Sequence, residues 1–284
     1  MHISVASGKG GTGKTLVSLM LSAANPNALL IDCDVEEPNL HLFLSPEQTQ
    51  PSKSITVPVP QFDASKCTHC GRCAERCLYN ALAIVQTTGP MLFEELCHSC
   101  GGCLAACRDG AVSERAREVG TLTFEHVAFR PETHFVTGRQ TIGVASGVPV
   151  IKALKNLASH GSVDVIADCP PGTACSTVAA LRGSDYCLLV TEPTPFGLHD
   201  LGQALSVVKL LNLPAAVVLN KSEGPTADAA AETFCAEHNL AIIARIPHNE
   251  QLAKTYAEGI LPDTLRSIGQ GIWKELLGER WWLQ

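Results

Sequence analysis

GKGGTGKT, Gly8 to Thr15, decides how the rest of this chain is read. It satisfies the spacing GxxxxGK[ST] and lies between an apolar run, HISVAS from His2, and a helix-forming run, TLVSLMLSAA from Thr15. That strand–loop–helix setting is what a phosphate cradle requires. Gly8, Gly10, Gly11 and Gly13, with Thr12 among them, let backbone NH groups converge on phosphate oxygens, and the following helix presents the positive end of its dipole. Lys14 is then expected to reach the β- and γ-phosphates and Thr15 to hold Mg²⁺.

Working outward, ALLIDCD from Ala28 completes a βαβ pattern, the unit of a parallel sheet. VDVIAD, DYCLLVTE, AAVVLN and AIIARIP are short, β-branched and unalternating, as strands covered on both faces should be. PVIKALKNLA, LGQALSVVKLLN, ADAAAETFCAEHN and NEQLAKTYAEG show helical apolar spacing between them. The expectation is an α/β fold, a doubly wound and mainly parallel P-loop NTPase sheet. At 284 residues and 45% hydrophobic content the chain has room for that domain and a small extra module. Its 21 basic and 28 acidic residues give a formal charge of −7, and no Lys/Arg cluster tracks a phosphate backbone, so nucleic acid is not an expected partner. Without a signal sequence or an apolar span, the expected location is the cytoplasm.

The rhythm breaks at CTHCGRCAERC, from Cys67, which recurs thirty residues later as CHSCGGCLAAC from Cys97. Thirteen cysteines is an odd count, and eight fall in these two copies of CxxCxxCxxxC, which favours metal ligation over disulfides. The spacing resembles the bacterial ferredoxin run, whose fourth cysteine serves the other cluster in two-cluster proteins. That rule places one [4Fe–4S] cluster on Cys67, Cys70, Cys73 and Cys107, and a second on Cys97, Cys100, Cys103 and Cys77. Zinc fits less well, because it normally uses two CxxC hooks per ion and leaves the third cysteine unexplained. The proline usual after the fourth cysteine is replaced by Leu78 and Arg108. We expect an inserted α+β bacterial-type ferredoxin module at 64–113, carried by the strand-forming arms SITVPVPQF and GTLTFEHVAF, with the parent domain at 1–63 and 114–284. Charged side chains of the module balance, so two clusters would leave it anionic and suited to a partner with a basic face. The remaining cysteines, Cys33, Cys169, Cys175, Cys187 and Cys235, sit among small or apolar residues and read as buried thiols.

KGGTGKT, from Lys9, matches residue for residue the signature of the MinD/ParA/Mrp and nitrogenase iron protein superfamily of deviant Walker A ATPases. The resemblance implies ATP as ligand and a Lys9 that crosses a dimer interface to the partner's nucleotide. It sets Asp32 and Asp34 in the place of switch I aspartates, the first a further ligand near Mg²⁺ and the second orienting the attacking water, and Asp168 in the place of the Walker B carboxylate near Mg²⁺. It sets Asn220 at the adenine and Pro247 beside the base. Within the ferredoxin-containing branch it implies a homodimer or a heterodimer with a paralogous ATPase, and a redox partner such as an orange-protein-type metal cluster protein. Cys175 stands seven residues after Asp168, the offset of one cluster ligand in the nitrogenase iron protein, but a second cysteine for such a shared cluster is lacking. So is the C-terminal CxxC of the cluster-carrying Mrp proteins. MinD proteins end in a membrane-binding helix; here Ile268, Ile272 and Leu276 form an apolar line beside Trp273 and Leu277, opposite the balanced charges of Lys274, Glu275, Glu279 and Arg280. Interfacial helices are normally cationic, so docking on the core is the expectation and membrane binding is not.

The expected function is ATP hydrolysis and ATP-dependent dimerisation that gate electron transfer through two [4Fe–4S] clusters. The alternatives are a cluster-assembly carrier of the Mrp type and a MinD-like spatial organiser using its clusters as a redox sensor.

Overall fold

The unalternating apolar runs become the centre of one nine-stranded sheet. The computed structural model describes residues 1–44, 46–127, 130–158, 163–258 and 263–278. In chain order the elements are β1 (His2–Ala6), α1 (Lys14–Ala24), β2 (Leu29–Asp32), α2 (His41–Leu44), β3 (Pro46–Phe62), α3 (Arg72–Glu75), β4 (Leu82–Val85), β5 (Gly89–Leu92), α4 (Gly102–Ala106), β6 (Val112–Val127), β7 (Arg130–Gln140), α5 (Val148–Ala158), β8 (Val165–Asp168), α6 (Cys175–Leu181), β9 (Tyr186–Thr191), α7 (Pro195–Leu210), β10 (Ala215–Ser222), α8 (Pro225–Glu237), β11 (Ile242–Pro247), α9 (Glu250–Ala257) and α10 (Asp263–Gly278).

The strand order is β11-β10-β9-β1-β8-β2-β7-β6-β3. Every pair from β11 to β7 is parallel, and β6 and β3 add an antiparallel edge. Helices cover both faces. One core lies under α5, α6, α7 and α8, with Ile151, Leu154 and Leu205 buried in it. The other lies under α1 and α10, with Leu19, Met20 and Ile272. This is the doubly wound arrangement, and it brings the carboxyl ends of β1, β2 and β8 together, where such folds place chemistry.

β7 escaped the sequence reading because its apolar pair, Phe135 and Val136, is flanked by polar residues rather than set in a run. α6 escaped it because seven residues are too few to show a period. The apolar line of α10 faces α1: Ile272 and Leu276 are buried, and the Trp273 indole Nε1 donates to the Leu21 carbonyl at 3.0 Å. Gly269 allows that approach, since a Cβ there would overlap the Met20 carbonyl. The helix is therefore docked on the core, while Glu279 and Arg280 lie outside the described residues. No helix among the described residues is long and apolar enough to cross a membrane.

β3 and β6 pair from Pro46↔Val127 to Phe62↔Val112, whereas β7 pairs with β6 only as far as Gly120↔Gln140. The far halves of β3 and β6 thus project beyond the sheet as a two-stranded arm. Residues 63–111 hang on its end and contain only α3, α4, the β4–β5 hairpin and a short 3₁₀ turn at Glu94–Leu96. The hairpin, with Leu82↔Leu92 and Ile84↔Pro90, repeats at an offset of thirty as Phe62↔Val112 and Pro60↔Glu114 at the end of the arm.

Candidate functional site

The loop after β1 is built by glycines that only the absence of a side chain allows. A Cβ at Gly8 would overlap the Asp200 carbonyl of α7, and one at Gly13, which has φ +96°, would overlap the Asn220 amide. Around Gly10 and Gly11 nothing stands within 4 Å of an added Cβ, so this side of the loop is open. Thr12 Oγ1 is buried without a hydrogen-bond partner, and Lys14 is buried at the start of α1. The Lys9 carbonyl accepts from Ser7 Oγ at 2.6 Å, and its half-buried side chain has no ion pair among the described residues.

Asp168 ends β8 with both oxygens engaged by α1: Thr15 Oγ1 donates to Oδ2 at 2.7 Å and Ser18 Oγ to Oδ1 at 3.0 Å. Asn39 Oδ1 lies 3.2 Å from the same Thr15 hydroxyl, whose single proton goes to the nearer carboxylate. Sequence reasoning missed Ser18 and Asn39. Ser18 was legible in principle, because a residue three after Thr15 shares its helix face; Asn39 sits in a loop without periodicity.

Asp32, expected at the metal, has both carboxylate oxygens on backbone amides. Its Oδ1 accepts from Asp34 NH at 3.1 Å, and Oδ2 from Asn39 NH and Leu40 NH at 3.1 and 3.2 Å, so it anchors the loop 33–40 from inside the protein. Burial pushes its carboxyl up, and the neighbouring Asp168 charge adds to the effect. Burial also raises Asp168, against the pull of the Lys14 ammonium. Asp34 is half-buried and raised to about 6, again by burial, with Lys14 opposing.

Asn220 braces the cradle: its Nδ2 donates to the Thr12 carbonyl at 2.8 Å and its Oδ1 accepts from Lys221 NH at 2.9 Å. Pro247 ends β11 exposed, opposite Ser222 in register.

The cysteine repeats fold into two cavities with the crossed sets expected from spacing. Cys67, Cys70, Cys73 and Cys107 line the first, and Cys97, Cys100, Cys103 and Cys77 the second. Every one of the 14 residues lining the first has its counterpart, thirty positions away, lining the second. The backbone repeats too: His69 and Ser99 have φ 56° and 54°, Gly71 and Gly101 80° and 71°, and Asn80 and Gly110 53° and 64°. The fourth thiol of each run accepts a backbone NH at 3.3 Å, Cys77 from Ala81 and Cys107 from Ala111. Among the described residues no group of three or more His, Cys, Asp or Glu is set to hold a metal ion.

Of the other cysteines, Cys33, Cys169, Cys187 and Cys235 are buried, as expected. Cys175 is exposed and opens on a cavity beside Lys152, Lys155 and Arg182, which places it outside the core it was expected to join.

The CobQ/CobB/MinD/ParA nucleotide binding domain matches residues 3–262. An uncharacterised protein of Methanocaldococcus jannaschii is 26% identical over 264 residues, covering 91% of this chain and 90% of that protein. Among solved structures, the septum site-determining protein MinD of Pyrococcus horikoshii, complexed with Mg-ADP, superposes with a TM-score of 0.58 at 20% identity, covering 97% of this chain and 95% of the other. The cell division ATPase MinD of Pyrococcus furiosus gives 0.57 at 19%, with 98% of each chain covered. These structural likenesses concern the fold.

Proposed function

The chain belongs to the CobQ/CobB/MinD/ParA nucleotide-binding family of P-loop ATPases, and from that premise we propose that it binds and hydrolyses Mg-ATP and couples this to electron transfer through two [4Fe–4S] clusters. The observation that carries the redox half is the correspondence of the two thiol-lined cavities, residue for residue at an offset of thirty. A zinc site normally draws on two CxxC hooks, whereas a [4Fe–4S] cluster would take four cysteines, three from one run and the fourth from the other. Each cavity is lined by such a set, and Cys77 and Cys107 also accept backbone NH groups. On this reading 64–113 is a ferredoxin module on the arm of β3 and β6, and 1–63 with 114–284 is the ATPase domain.

The residues of the cradle suit a nucleotide. Open backbone at Gly10 and Gly11, the unpartnered Thr12 hydroxyl and the buried Lys14 offer donors to phosphate. The Thr15–Asp168 contact supports a shared role at Mg²⁺, with Ser18 on the second carboxylate oxygen. Asp32 positions the loop that bears Asp34, and Asp34 orients the attacking water. Asn220 and Pro247 flank the base. Lys9 reaches across to a second subunit, a copy or a paralogue, so that ATP favours the dimer. Bound clusters supply one-electron chemistry, and the chain's own part is to cage them and to present them to a redox partner.

The test is to prepare the full chain without oxygen and count iron and acid-labile sulfide. About eight of each per chain are expected. Cys107→Ser should halve the iron while leaving the signal of the Cys97 set, and Cys77→Ser the reverse. Stoichiometric zinc without sulfide, or uncrossed losses, overturns the proposal.

A further inference from the structure

The two cavities share a backbone but not their charged side chains. Beside the first, Arg72 Nε donates to Cys70 Sγ at 3.2 Å, and Arg72 Nη2 binds Asp109 Oδ2 at 3.0 Å. Thr68 Oγ1 donates to the same Asp109 oxygen at 3.0 Å. The positions thirty away are Gly102, Tyr79 and His98. Gly102 has no side chain to place on a sulfur, and Tyr79 and His98 stack with ring centroids 3.9 Å apart. A fourth pair differs in the same sense: Ile84 lines the first cavity and Glu114 the second. Arg76 passes Gly102 with its aliphatic Cγ, and among the described residues Arg72 is the cationic side chain that donates to a cysteine sulfur.

We infer that Arg72 makes the two sites electrically unequal, holding the cluster of the Cys67 set at a higher reduction potential than that of the Cys97 set. The inference rests on the two-cluster reading above. Reduction adds one electron to a site whose sulfurs already carry negative charge, so a guanidinium on Cys70 favours the reduced form and a carboxylate beside the Cys97 set disfavours it. Asp109 tempers the effect without cancelling it. It takes Nη2, while Nε remains on the sulfur, and a charge-assisted bond is stronger than a neutral one. An electron delivered by a one-electron donor to the Cys97 set then moves downhill to the Cys67 set. Arg72 is thus a positioning residue for charge. It adds no ligand.

The experiment is a dithionite titration of the oxygen-free full chain, followed by EPR, after iron and sulfide have been counted. Two reduction steps are expected. Arg72→Gln should make the higher site about tenfold harder to reduce, 59 mV for one electron, and leave the lower step in place. Arg72→Lys should restore part of the shift. Gly102→Arg should raise the lower step, because the nearest atoms to a Cβ there, Cys100 Sγ at 3.6 Å and Arg76 Cγ at 3.7 Å, are at ordinary contact distance. Chains lacking iron and sulfide would sink the two-cluster reading itself. Chains holding both clusters whose steps are unmoved by Arg72→Gln, or moved equally, would overturn this inference and leave that reading intact.

Discussion

Replacing Asp168 by Asn should make the protein more stable and, at the same time, less able to use Mg-ATP. Asp32 and Asp168 are direct partners on adjacent parallel strands, both buried and both raised by burial. Strands stand about 4.8 Å apart, and at an effective dielectric constant near 20 two charges at that separation repel by about 3 kcal/mol. Lys14 and the hydroxyls of Thr15 and Ser18 offset part of this. Asn keeps the shape, accepts from one hydroxyl and donates to the other once it rotates, so the net gain should be about 1–2 kcal/mol. For a chain of this size that is about 2–6 °C in melting temperature. The pH dependence carries the same sign. A folded-state carboxyl raised above its ordinary value of 3.8 keeps a proton that the unfolded chain has released, so stability falls as pH rises through that window and the loss is complete above it. The variant's advantage should therefore grow from acid to neutral pH. The assay is thermal melting in EDTA without nucleotide, repeated with Mg-ATP, which should stabilise the parent by mass action and the variant far less. A variant that melts below its parent at neutral pH in EDTA, or gains as much from Mg-ATP, would refute the reasoning.

Asp34→Asn should lower ATP turnover by about 10²–10⁴-fold while leaving Mg-ATP affinity within a few-fold; the acid limb of the parent's kcat/KM profile, expected near the raised value of about 6, should vanish with it. Lys9→Ala should remain monomeric in light scattering with ATP present and still bind the nucleotide; retention of an ATP-dependent dimer would remove Lys9 from the interface. Gly269→Ala forces a Cβ onto the Met20 carbonyl where α10 crosses α1 and should destabilise the chain by about 1–3 kcal/mol, read as a lower urea midpoint. An unchanged midpoint would mean that α10 is not held where described.

What was legible in the sequence was whatever local chemistry dictates. The glycines of residues 8–15 follow from close approach and the crossed cysteine sets from ligand spacing, and in the structure each set lines one cavity. The parallel strands were visible because burial on both faces demands continuous apolar runs such as CLLVT in β9. β7 was not, because its polar residues are interleaved within an edge region where neighbours supply the burial. The role of Asp32 was hidden for a different reason. A carboxylate that ends a strand near a phosphate loop looks the same in sequence whether it faces the ligand or turns back to three backbone amides, and only the path of residues 33–40 decides between them. Arg72 was counted at the outset as one more charge in a balanced module, because its contact with Cys70 depends on the turn between them.

The cradle and the thiol cavities are joined by backbone, and the joint begins next to Asp34. The Val35 carbonyl accepts from Gln140 NH at 2.8 Å, and Thr141 NH donates to the Val119 carbonyl of β6 at 2.9 Å. Two residues away on β6, Arg117 Nε meets Glu94 Oε2 in the distal segment at 3.2 Å, and Arg117 Nη2 reaches the Gly143 carbonyl at 3.4 Å. A Cβ on Gly138 or Gly147 would press on the side chain of Val35, so the residue after Asp34 sits in a socket formed by the strand that roots the arm and the loop that follows it. Intermediate position alone does not make a coupling; an element must shift when nucleotide binds. The contacts make the loop 33–40 the element to test. Any movement of the loop 33–40 towards a bound phosphate draws on Val35, and the load falls on β7 and β6 before it falls on solvent. The proposed gating would therefore require no new contact between the lobes. It would require that Val35 move, and the grip of Arg117 and Arg115 on Glu94 would then set whether residues 63–111 follow β6 as one body or flex on the arm.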